Sequence, residues 1–365
     1  MKKRIVSFQS IEIPFKAKFA HHTAIRESTE TIIVEIKNEN GLIGFGEACP
    51  RSYVTGETVV SVSVFLEQVT PDMSAIKSLE DIKILQISLK NEIDKNPSAW
   101  CALEMAMLDL LAREKKISIE ELLNISTQQN RAPYTAVQGI DSFLKVLIKF
   151  LIYKFFGFSD FKFKLSGNQQ EDLKVLKLLE LSSKSIRVDA NNLFKTADET
   201  IAYLTPLRTY IWAIEEPVAP NDFHGMQKIA ETLKLKIILD ESFLNQSSIE
   251  PIKGMKDLYI PNLRISKLGG ILRTLTLIEQ LESLGIDWIL GSHVGEMSLL
   301  TRASLLISGS HHKHLKAIEG GFSTHLLSYD PFFPNLKLGM GATINWKKYS
   351  LAKKPGLGMD YKRKE

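Results

Sequence analysis

Ionisable residues recur at a nearly fixed interval along the second half of the chain, each at the end of a short apolar run. Lys164, Asp189, Glu215, Asp240 and Arg264 follow one another at spacings of 24 to 26 residues. This interval is the length of one strand, one helix and their two loops, so one βα unit separates each pair. The spacing therefore predicts consecutive parallel strands whose carboxyl ends carry polar side chains.

Short β-rich runs alternate with helical segments from about residue 131 onward. The runs are Tyr134–Gln138, Phe161–Leu165, Ile186–Val188, Ile211–Ile214, Lys236–Leu239, Leu258–Ile265, Trp288–Leu290 and Leu315–Ile318. Eight such units close into a barrel whose strand ends meet around one point, which an open doubly wound sheet would not achieve. We predict an α/β fold, a modified TIM barrel of the (β/α)7β type.

The first third of the chain has a different pattern. Apolar and polar residues alternate over residues 4–14 and 31–47, with a turn at Glu39-Asn40-Gly41, which predicts an antiparallel meander. Helical spacing from Trp100 to Leu111, and again over Ile119–Leu123, makes this an α+β unit. We expect a capping domain over residues 1–128, the barrel over 129–330, and a tail over 331–365 that packs on the cap.

Composition restricts the classes of partner and compartment. The 365 residues carry a net charge of only +4, with lysines scattered among acids, so a nucleic-acid partner is not expected. Cys49 and Cys101 form no CxxC pair, and residues 1–12 contain no apolar signal segment, which predicts a cytoplasmic protein. The apolar stretch Phe143–Phe158 contains three lysines and is too short for a membrane span, so no membrane partner is expected.

Three carboxylates end successive predicted strands. Asp189, Glu215 and Asp240 supply hard oxygen ligands of the kind that Mg²⁺ prefers. Like charges brought together also need a cation to neutralise them. The alternative is that each acid caps the following helix, a common role for Asp at such a junction, but three in register favour a metal site.

Two lysines lie on the strand before these acids. In Phe161-Lys-Phe-Lys-Leu165 the side chains of Lys162 and Lys164 point to one face, because strand residues alternate. Burying two lysines is costly unless they are used. Their repulsion and a nearby metal would lower the proton affinity of Lys164 and make it a general base, whereas a solvated strand edge is the alternative.

These residues together resemble a known family. The matching segments are Lys162-x-Lys164, Asp189-x-Asn191, Glu215-Glu216-Pro217, Asp240-Glu241-Ser242, Gly269-Gly270, Gly44-Phe-Gly-Glu47 and the helix Cys101–Asp109. The set is similar to the enolase superfamily and, within it, to the muconate-lactonizing subgroup.

The resemblance implies a chemistry and a set of roles. A metal, Mg²⁺ with Mn²⁺ as a substitute, would bind the substrate carboxylate, and a lysine would remove the proton from the adjacent carbon. The implied base is Lys164, with Lys162 as its electrostatic partner. The implied metal ligands are Asp189, Glu215 and Asp240, and the implied supporting residues are Asn191, Glu216 and Glu241.

One position departs from the family pattern. A second catalytic lysine is usual at the end of the sixth strand, and here Arg264 stands there. Arginine stays protonated, so it is a poor base and a poor proton donor, although it can stabilise an anion. Lys267 is a reserve candidate, but strand alternation points it to the other face, where it is expected at the surface.

Substrate contacts are implied on loops over the strand ends. In the cap the implied segment is Phe19–Ser28, with His21, His22 and Arg26, which would suit an anionic substrate tail. On the last two strands the implied residues are Ser292, His293, Glu296 and Glu319. The run His311–His314 is expected to be solvated surface at the opposite end of the barrel.

Three functions follow from this pattern. The first is a cycloisomerase or a syn-eliminating lyase similar to o-succinylbenzoate synthase, with Lys164 as single base. The second is a dipeptide or N-acylamino-acid epimerase or racemase, which requires a second proton carrier. The third is a non-catalytic protein that binds carboxylates. The expected partner in each case is a small carboxylate; a homo-oligomer is one option, and the sequence leaves the oligomeric state open.

Overall fold

The computed structural model describes residues 4–21, 24–70, 73, 76–126, 134–183, 185–310 and 312–363, and the side chains of these except 17–21, 24–26 and 346–347. Within this part of the chain, no helix is both long and apolar enough to cross a bilayer.

An antiparallel sheet opens the fold. Its strands are β1 (Ile5–His21), β2 (Ala24–Lys37) and β3 (Ile43–Ala48), paired in the order β1-β2-β3. The turn between β2 and β3 is closed by the amide of Gly41, which donates to the carbonyl of Asn38 at 3.1 Å. The predicted meander is confirmed, although β1 continues well beyond Pro14.

Helices of the first unit pack on this sheet. They are α1 (Val59–Val69), α2 (Leu79–Ser88), α3 (Lys90–Lys95), α4 (Pro97–Lys115) and α5 (Ile119–Leu122). The two helices predicted from spacing, α4 and α5, are confirmed. Helix α4 lies so close to β3 that a Cβ on Gly46 would fall 1.8 Å from the carbonyl oxygen of Ala102, which explains the glycines in this strand.

Eight parallel strands form the barrel, as predicted. They are β4 (Ala136–Gln138), β5 (Asp160–Lys164), β6 (Ser185–Asp189), β7 (Ala213–Glu215), β8 (Lys236–Leu239), β9 (Tyr259–Arg264), β10 (Trp288–Gly291) and β11 (Leu315–Ile318). A parallel bridge between Tyr134 and Ile318 joins the first run to the last and closes the sheet. The amide of Thr135 donates to the carbonyl of Ile318 at 2.8 Å in this seam.

Helices surround the strands. They are α6 (Phe143–Phe156), α7 (Gln169–Glu180), α8 (Ala197–Leu204), α9 (Phe223–Leu233), α10 (Ile265–Leu268), α11 (Ile271–Ser283), α12 (Ser298–Ser308) and α13 (Ser323–Leu326). Between β8 and β9 the connection is a 3-10 helix, Gln246–Ile252, which contains Pro251. Proline has no backbone N–H to donate, so Pro251 does not continue a regular helix and this connection stays short.

The tail contacts both preceding units. Its short strands are β12 (Phe332–Phe333), β13 (Leu338–Gly339), β14 (Thr343–Ile344) and β15 (Asp360–Tyr361), with 3-10 helices at Trp346–Tyr349 and Leu351–Lys353. The amide of Leu357 donates to Oδ1 of Asp109 at 2.6 Å, and the carbonyl of Ala342 accepts from the amide of Tyr134 at 2.8 Å. The division into three segments stays a prediction.

Buried carboxylates of the first unit cap barrel helices. Glu104 on α4 accepts from the amides of Ile271 and Leu272, at 2.6 and 2.9 Å, in the first turn of α11. Glu47 on β3 accepts from the amide that precedes α12 and from Leu300, at 2.7 and 3.1 Å. The first amides of a helix have no partner within the helix, so these oxygens satisfy them and fix the segments that follow β9 and β10.

The glycine pair after β9 has a steric reason. Gly270 has a φ of +100°, and a Cβ there would lie 2.3 Å from Oε2 of Glu104. Only glycine allows the carboxylate to approach the start of α11 so closely.

Candidate active site

The barrel register sets the predicted residues side by side. Lys164 pairs with Asp189 in the β5–β6 ladder, and Asp189 pairs with Glu215 in the β6–β7 ladder. Asp240 follows directly after β8, and Arg264 ends β9. These side chains therefore converge on the carboxyl end of the barrel, where β/α barrel enzymes hold their active sites.

Lys162 and Lys164 both point into the barrel, as their alternation predicts. The ammonium of Lys162 lies 2.8 Å from Glu215 and 3.2 Å from Asp189, and that of Lys164 lies 3.0 Å from Asp189. Burial lowers the pKa of Lys162, but the carboxylates of Asp189, Glu215 and Glu319 outweigh it and hold the pKa above its ordinary value. The two lysines are thus held together by acids between them.

Asn191 orients Lys164. Its Oδ1 accepts from the Lys164 ammonium at 2.7 Å, and its own amide donates to Oδ1 of Asp189 at 3.1 Å. Its backbone has a φ of +46°, a left-handed conformation that Asn tolerates better than most residues. The Asp189–Asn191 turn therefore holds the lysine by two oxygens.

Glu215 lies between two other acids and is buried. Desolvation, together with the charges of Asp189, Glu319 and Asp240, raises its pKa, although Lys162 opposes the shift. Its Oε1 accepts from the amide group of Asn262 at 3.3 Å. A buried carboxylate with a raised pKa is the group that gains most from a nearby cation.

Asp240 is held by two cations, one at the end of β9 and one on α10. The Arg264 guanidinium hydrogen-bonds its Oδ2, and the Lys267 ammonium donates to its Oδ1 at 2.8 Å. Burial raises the pKa of Asp240, but Arg264 and Lys267 outweigh it, and the net shift is downward.

The expectation that Lys267 lies at the surface is wrong. The residue is fully buried, and its ammonium also donates to the carbonyls of Asp240 and Asn262, at 2.7 and 2.8 Å. Strand alternation fails because β9 ends at Arg264 and the next residue begins α10. Three acceptors saturate the three donors of the ammonium.

Glu216 supports the same edge, and Glu241 lies next to Asp240 in the chain. Glu216 accepts from the amides of Asp240 and Ser242, both at 2.7 Å, and so fixes the end of β8. Glu241 has one buried oxygen, Oε2, with no hydrogen-bond partner among the described residues. Burial and the neighbouring Asp240 and Glu216 raise its pKa. An orphaned buried acid oxygen beside three carboxylates fits a site that takes a cation.

The segment after β10 lies beside Arg264. The guanidinium lies 3.2 Å from Nδ1 of His293, and the amide of His293 donates to Oε1 of Glu296 at 2.7 Å. Desolvation raises the pKa of Glu296 to about 7. Glu319 accepts from Arg187 at 2.9 Å and lies 3.4 Å from Lys162, so it is neutralised by two buried cations.

A cavity of about 370 Å³ opens above these groups. The predicted residues that line it are Lys162, Lys164, Asn191, Glu241, Arg264, Ser292, His293, Glu296 and Glu319. Lys267 does not line it. The predicted contacts of His21, His22 and Arg26 lie outside the residues and side chains that the structure describes.

Some residues of the site are not indicated by the sequence. Arg187 is fully buried and joins Glu319 to Asp160, and its position two residues before Asp189 on the same strand face was the available signal. The cavity wall also includes Asp141, Lys149 and Tyr153, from the segment that follows β4. No spacing rule points to these three.

The described carboxylates at the strand ends are not arranged around one common point as the ligands of a metal ion would be. Among the residues that the structure describes, no three acidic, His or Cys side chains are grouped as ligands of one ion. The ammonium of Lys162 and the guanidinium of Arg264 lie against the carboxylates instead. The donor set, three buried carboxylates at adjacent strand ends, nevertheless has the oxygen chemistry that Mg²⁺ requires.

The histidine run at the opposite end is only partly as expected. His312 lies 3.3 Å from Glu282, and His314 lies 3.0 Å from Asp287. Both rings are half-buried, so the expectation of solvated surface is wrong for them, while His311 lies outside the described residues. Neither His312 nor His314 lines the cavity.

Most of the chain matches two known protein families. Residues 5–124 match the family described as mandelate racemase / muconate lactonizing enzyme, N-terminal domain, and residues 153–365 match the one described as enolase C-terminal domain-like. The chain belongs to the enolase superfamily and, within it, to the muconate-lactonizing subgroup.

Individual relatives differ in reaction. The hydrophobic dipeptide epimerase of Enterococcus faecalis is 27% identical over 306 residues, covering 82% of this chain and 84% of the relative. The o-succinylbenzoate synthase of Listeria innocua is 25% identical over 276 residues, covering 73% and 71%. A crystal structure of a dipeptide epimerase from Enterococcus faecalis, complexed with Mg and L-Leu-L-Tyr, is similar with a TM-score of 0.85 at 23% identity, covering 99% and 100%.

Proposed function

We propose that this chain removes the proton next to a substrate carboxylate with Lys164 as its single base, in a cycloisomerase or syn-elimination reaction similar to that of o-succinylbenzoate synthase. The observation that carries the proposal is that the two candidate lysines differ in exposure to the cavity and in hydrogen bonding. Lys164 lines the cavity, whereas Lys267 is buried beneath it and saturated by acceptors.

The metal ligands we propose are Asp189, Glu215 and Asp240. The related epimerase that binds Mg supports the choice of metal, and Mn²⁺ is expected to substitute. Mg²⁺, when bound, would hold the substrate carboxylate and offset the negative charge that develops during proton removal. Glu216 would keep Asp240 in place through the backbone at the end of β8.

The lysine pair would divide the work. Lys164 would accept the proton, since it lines the cavity and Asn191 fixes its position at 2.7 Å. Lys162, also at the cavity wall, would stabilise negative charge on the substrate without giving up a proton, because acids surround it. The group that stabilises the charge and the group that acts as the base would thus both lie on β5.

Arg264 would act from the other side. In the closed sheet β9 lies four strands from β5, so Arg264 and Lys164 are on opposite walls of the barrel. A guanidinium there stabilises an anion but does not exchange a proton at ordinary pH. The reaction would proceed on one face of the substrate, with Ser292, His293, Glu296, Glu319, His21 and Arg26 as the proposed substrate contacts.

Dipeptide epimerisation is the second candidate, because a relative that covers most of the chain is named for it. Epimerisation needs a proton carrier on each face of the carbon. Lys267 would serve only after giving up three hydrogen bonds, and Arg264 is a poor carrier.

One experiment separates these candidates. The purified enzyme is incubated in D₂O with Mg²⁺ and either a succinylbenzoate precursor, a muconate or a hydrophobic dipeptide, and deuterium at the reacting carbon is followed by NMR. We expect exchange or elimination without inversion, abolished by EDTA. Inversion of a dipeptide centre would instead establish the epimerase, and binding of carboxylates without exchange or turnover would indicate a non-catalytic protein.

A further inference from the structure

Helix α6 has an exposed apolar face. Its buried side, Val146 and Phe150, packs toward the barrel. On the other side Leu144 and Phe155 are 66% and 70% exposed, and Ile148 and Leu151 are 51% and 55% exposed. A helix on the outside of a barrel normally turns polar residues to water, so this face needs a cause.

The exposed residues form one continuous stripe. Leu144, Ile148, Leu151 and Phe155 follow one another at spacings of four, three and four residues, which places them on one side of an α-helix. Ile152, 48% exposed, lies beside them. From Leu144 to Phe155 the stripe is about 17 Å long at 1.5 Å per residue, most of the length of the helix.

Lysines border this stripe on both sides. At 100° per residue, Lys145 lies about 90° to one side of its centre and Lys154 about 90° to the other. Both are exposed, and the sequence of α6 contains no acidic residue. An apolar face with an exposed lysine on either side is an arrangement in which long basic side chains reach anionic headgroups while the apolar face enters the interface.

A second copy of the chain fits this face less well. A stable interface takes about 800 Å² from each partner, whereas a single stripe about 17 Å long and ~10 Å wide covers roughly a fifth of that. A two-fold pairing of α6 with itself would also bring the Lys154 side chains of both copies close together, and α6 carries no acid to neutralise them, whereas Lys145 already lies 3.9 Å from Asp141. An anionic bilayer surface matches the stripe in charge and needs no complementary shape.

We infer that α6 binds the surface of anionic lipid bilayers through Leu144, Ile148, Leu151 and Phe155, with Lys145 and Lys154 on the headgroups. The helix is too short to span a bilayer and lies along it. Lys149 and Tyr153 of the same helix line the cavity. The lipid surface therefore lies against the outer side of a cavity wall. This binding does not depend on the reaction proposed above.

The test is sedimentation of the full chain with vesicles. Vesicles of equal parts phosphatidylcholine and phosphatidylglycerol are compared with pure phosphatidylcholine, at low and high salt. The variant Leu151→Glu/Phe155→Glu removes two apolar contacts and is expected to lower the bound fraction by about tenfold or more. The matched control is Ile84→Glu/Ile87→Glu on α2, where both residues are exposed, at 58% and 74%. Circular dichroism and thermal unfolding establish that both variants fold.

The outcomes separate the occupants of this face. Salt-sensitive binding to the anionic vesicles that the control keeps and the α6 variant loses supports the inference. Equal loss in both variants, equal binding to neutral vesicles or no binding overturns it. The inference is also overturned if the wild-type chain does not bind vesicles but forms a concentration-dependent dimer, measured by analytical ultracentrifugation, that the α6 variant abolishes.

Discussion

Two walls of the cavity, one at the ends of β5 and β6 and the other at the ends of β8 and β9, share a charge arrangement but present different cations to the cavity. On each, one buried aspartate contacts two cations: Asp189 contacts Lys162 and Lys164, and Asp240 contacts Arg264 and Lys267. On the first wall a lysine reaches the cavity. On the second wall the cavity-facing cation is an arginine, and the lysine lies underneath. The same charge arrangement thus presents a group that exchanges protons on one wall and a fixed cation on the other.

Lys164→Ala should have the largest effect, because it removes the proposed base. General bases contribute about 10²- to 10⁴-fold in rate, and we expect a loss of this size in hydrogen–deuterium exchange at the reacting carbon. Asn191→Ala, which only frees the lysine, should lose less. Comparable losses in the two variants would mean that positioning, not proton removal, is the main role of this wall.

Lys267→Met should cost stability. The change leaves two buried carbonyls without their donor and removes one of the two cations that contact Asp240. Breaking a buried pair costs about 3–5 kcal/mol, and we expect the lower end of this range because Arg264 remains. Urea unfolding measures the difference. The control is Lys174→Met, whose ion pair with Glu171 is exposed and worth about 0–1 kcal/mol. A stable Lys267→Met protein that loses exchange would instead place Lys267 in the chemistry.

Arg264→Lys tests whether the second wall becomes like the first. We expect the one-face reaction to fall by about tenfold, since a charged hydrogen bond worth about 1.5–3 kcal/mol is weakened. Exchange from the opposite face should appear, because a lysine there carries an exchangeable proton. Chiral analysis of recovered substrate in D₂O measures it, and unchanged stereochemistry would show that geometry, not residue type, limits this wall.

Glu104→Gln should affect the reaction least, since the residue does not line the cavity, and should instead change how stability depends on pH. Burial raises the pKa of Glu104 to about 8 from an ordinary 4.5, although the amides of Leu272 and Ile271 oppose the shift. The folded protein then holds a proton that the unfolded chain releases, so wild-type stability declines from about pH 4.5 to about pH 8. The slope is at most about 1.4 kcal/mol per pH unit. Chemical unfolding across this range should be flatter for the variant, and equal slopes would contradict the shift.

Sequence reasoning succeeded where periodicity controls direction. The strand alternation that aims Lys162 and Lys164 inward, and the interval that brings Asp189, Glu215 and Asp240 to one end, are properties of the regular barrel. It failed where regularity stops, at Lys267, because the change from β9 to α10 reverses the direction of a side chain. The roles of the site residues stay predictions, since geometry alone does not test them.

Exposure was the other property that patterns did not reveal. The lysines of α6 interrupt its apolar run and argue against a membrane span, but the sequence does not show which side of the helix the barrel leaves uncovered. The structure answers that question through Val146 and Phe150, which occupy the buried side. Contacts between distant segments, such as Arg187 with Glu319, were equally invisible to local rules.

The carboxylates of Glu47 and Glu104 have a consequence for the order of synthesis. Both precede the helices that they cap by more than 160 residues in the chain. They leave the ribosome first, within a unit that already contains β3 and α4. The first turns of α11 and α12 therefore emerge to meet acceptors that are already present. A circular permutant that begins the chain at the barrel would reverse this order. The first turns of α11 and α12 would then stay uncapped until Glu104 and Glu47 are synthesised.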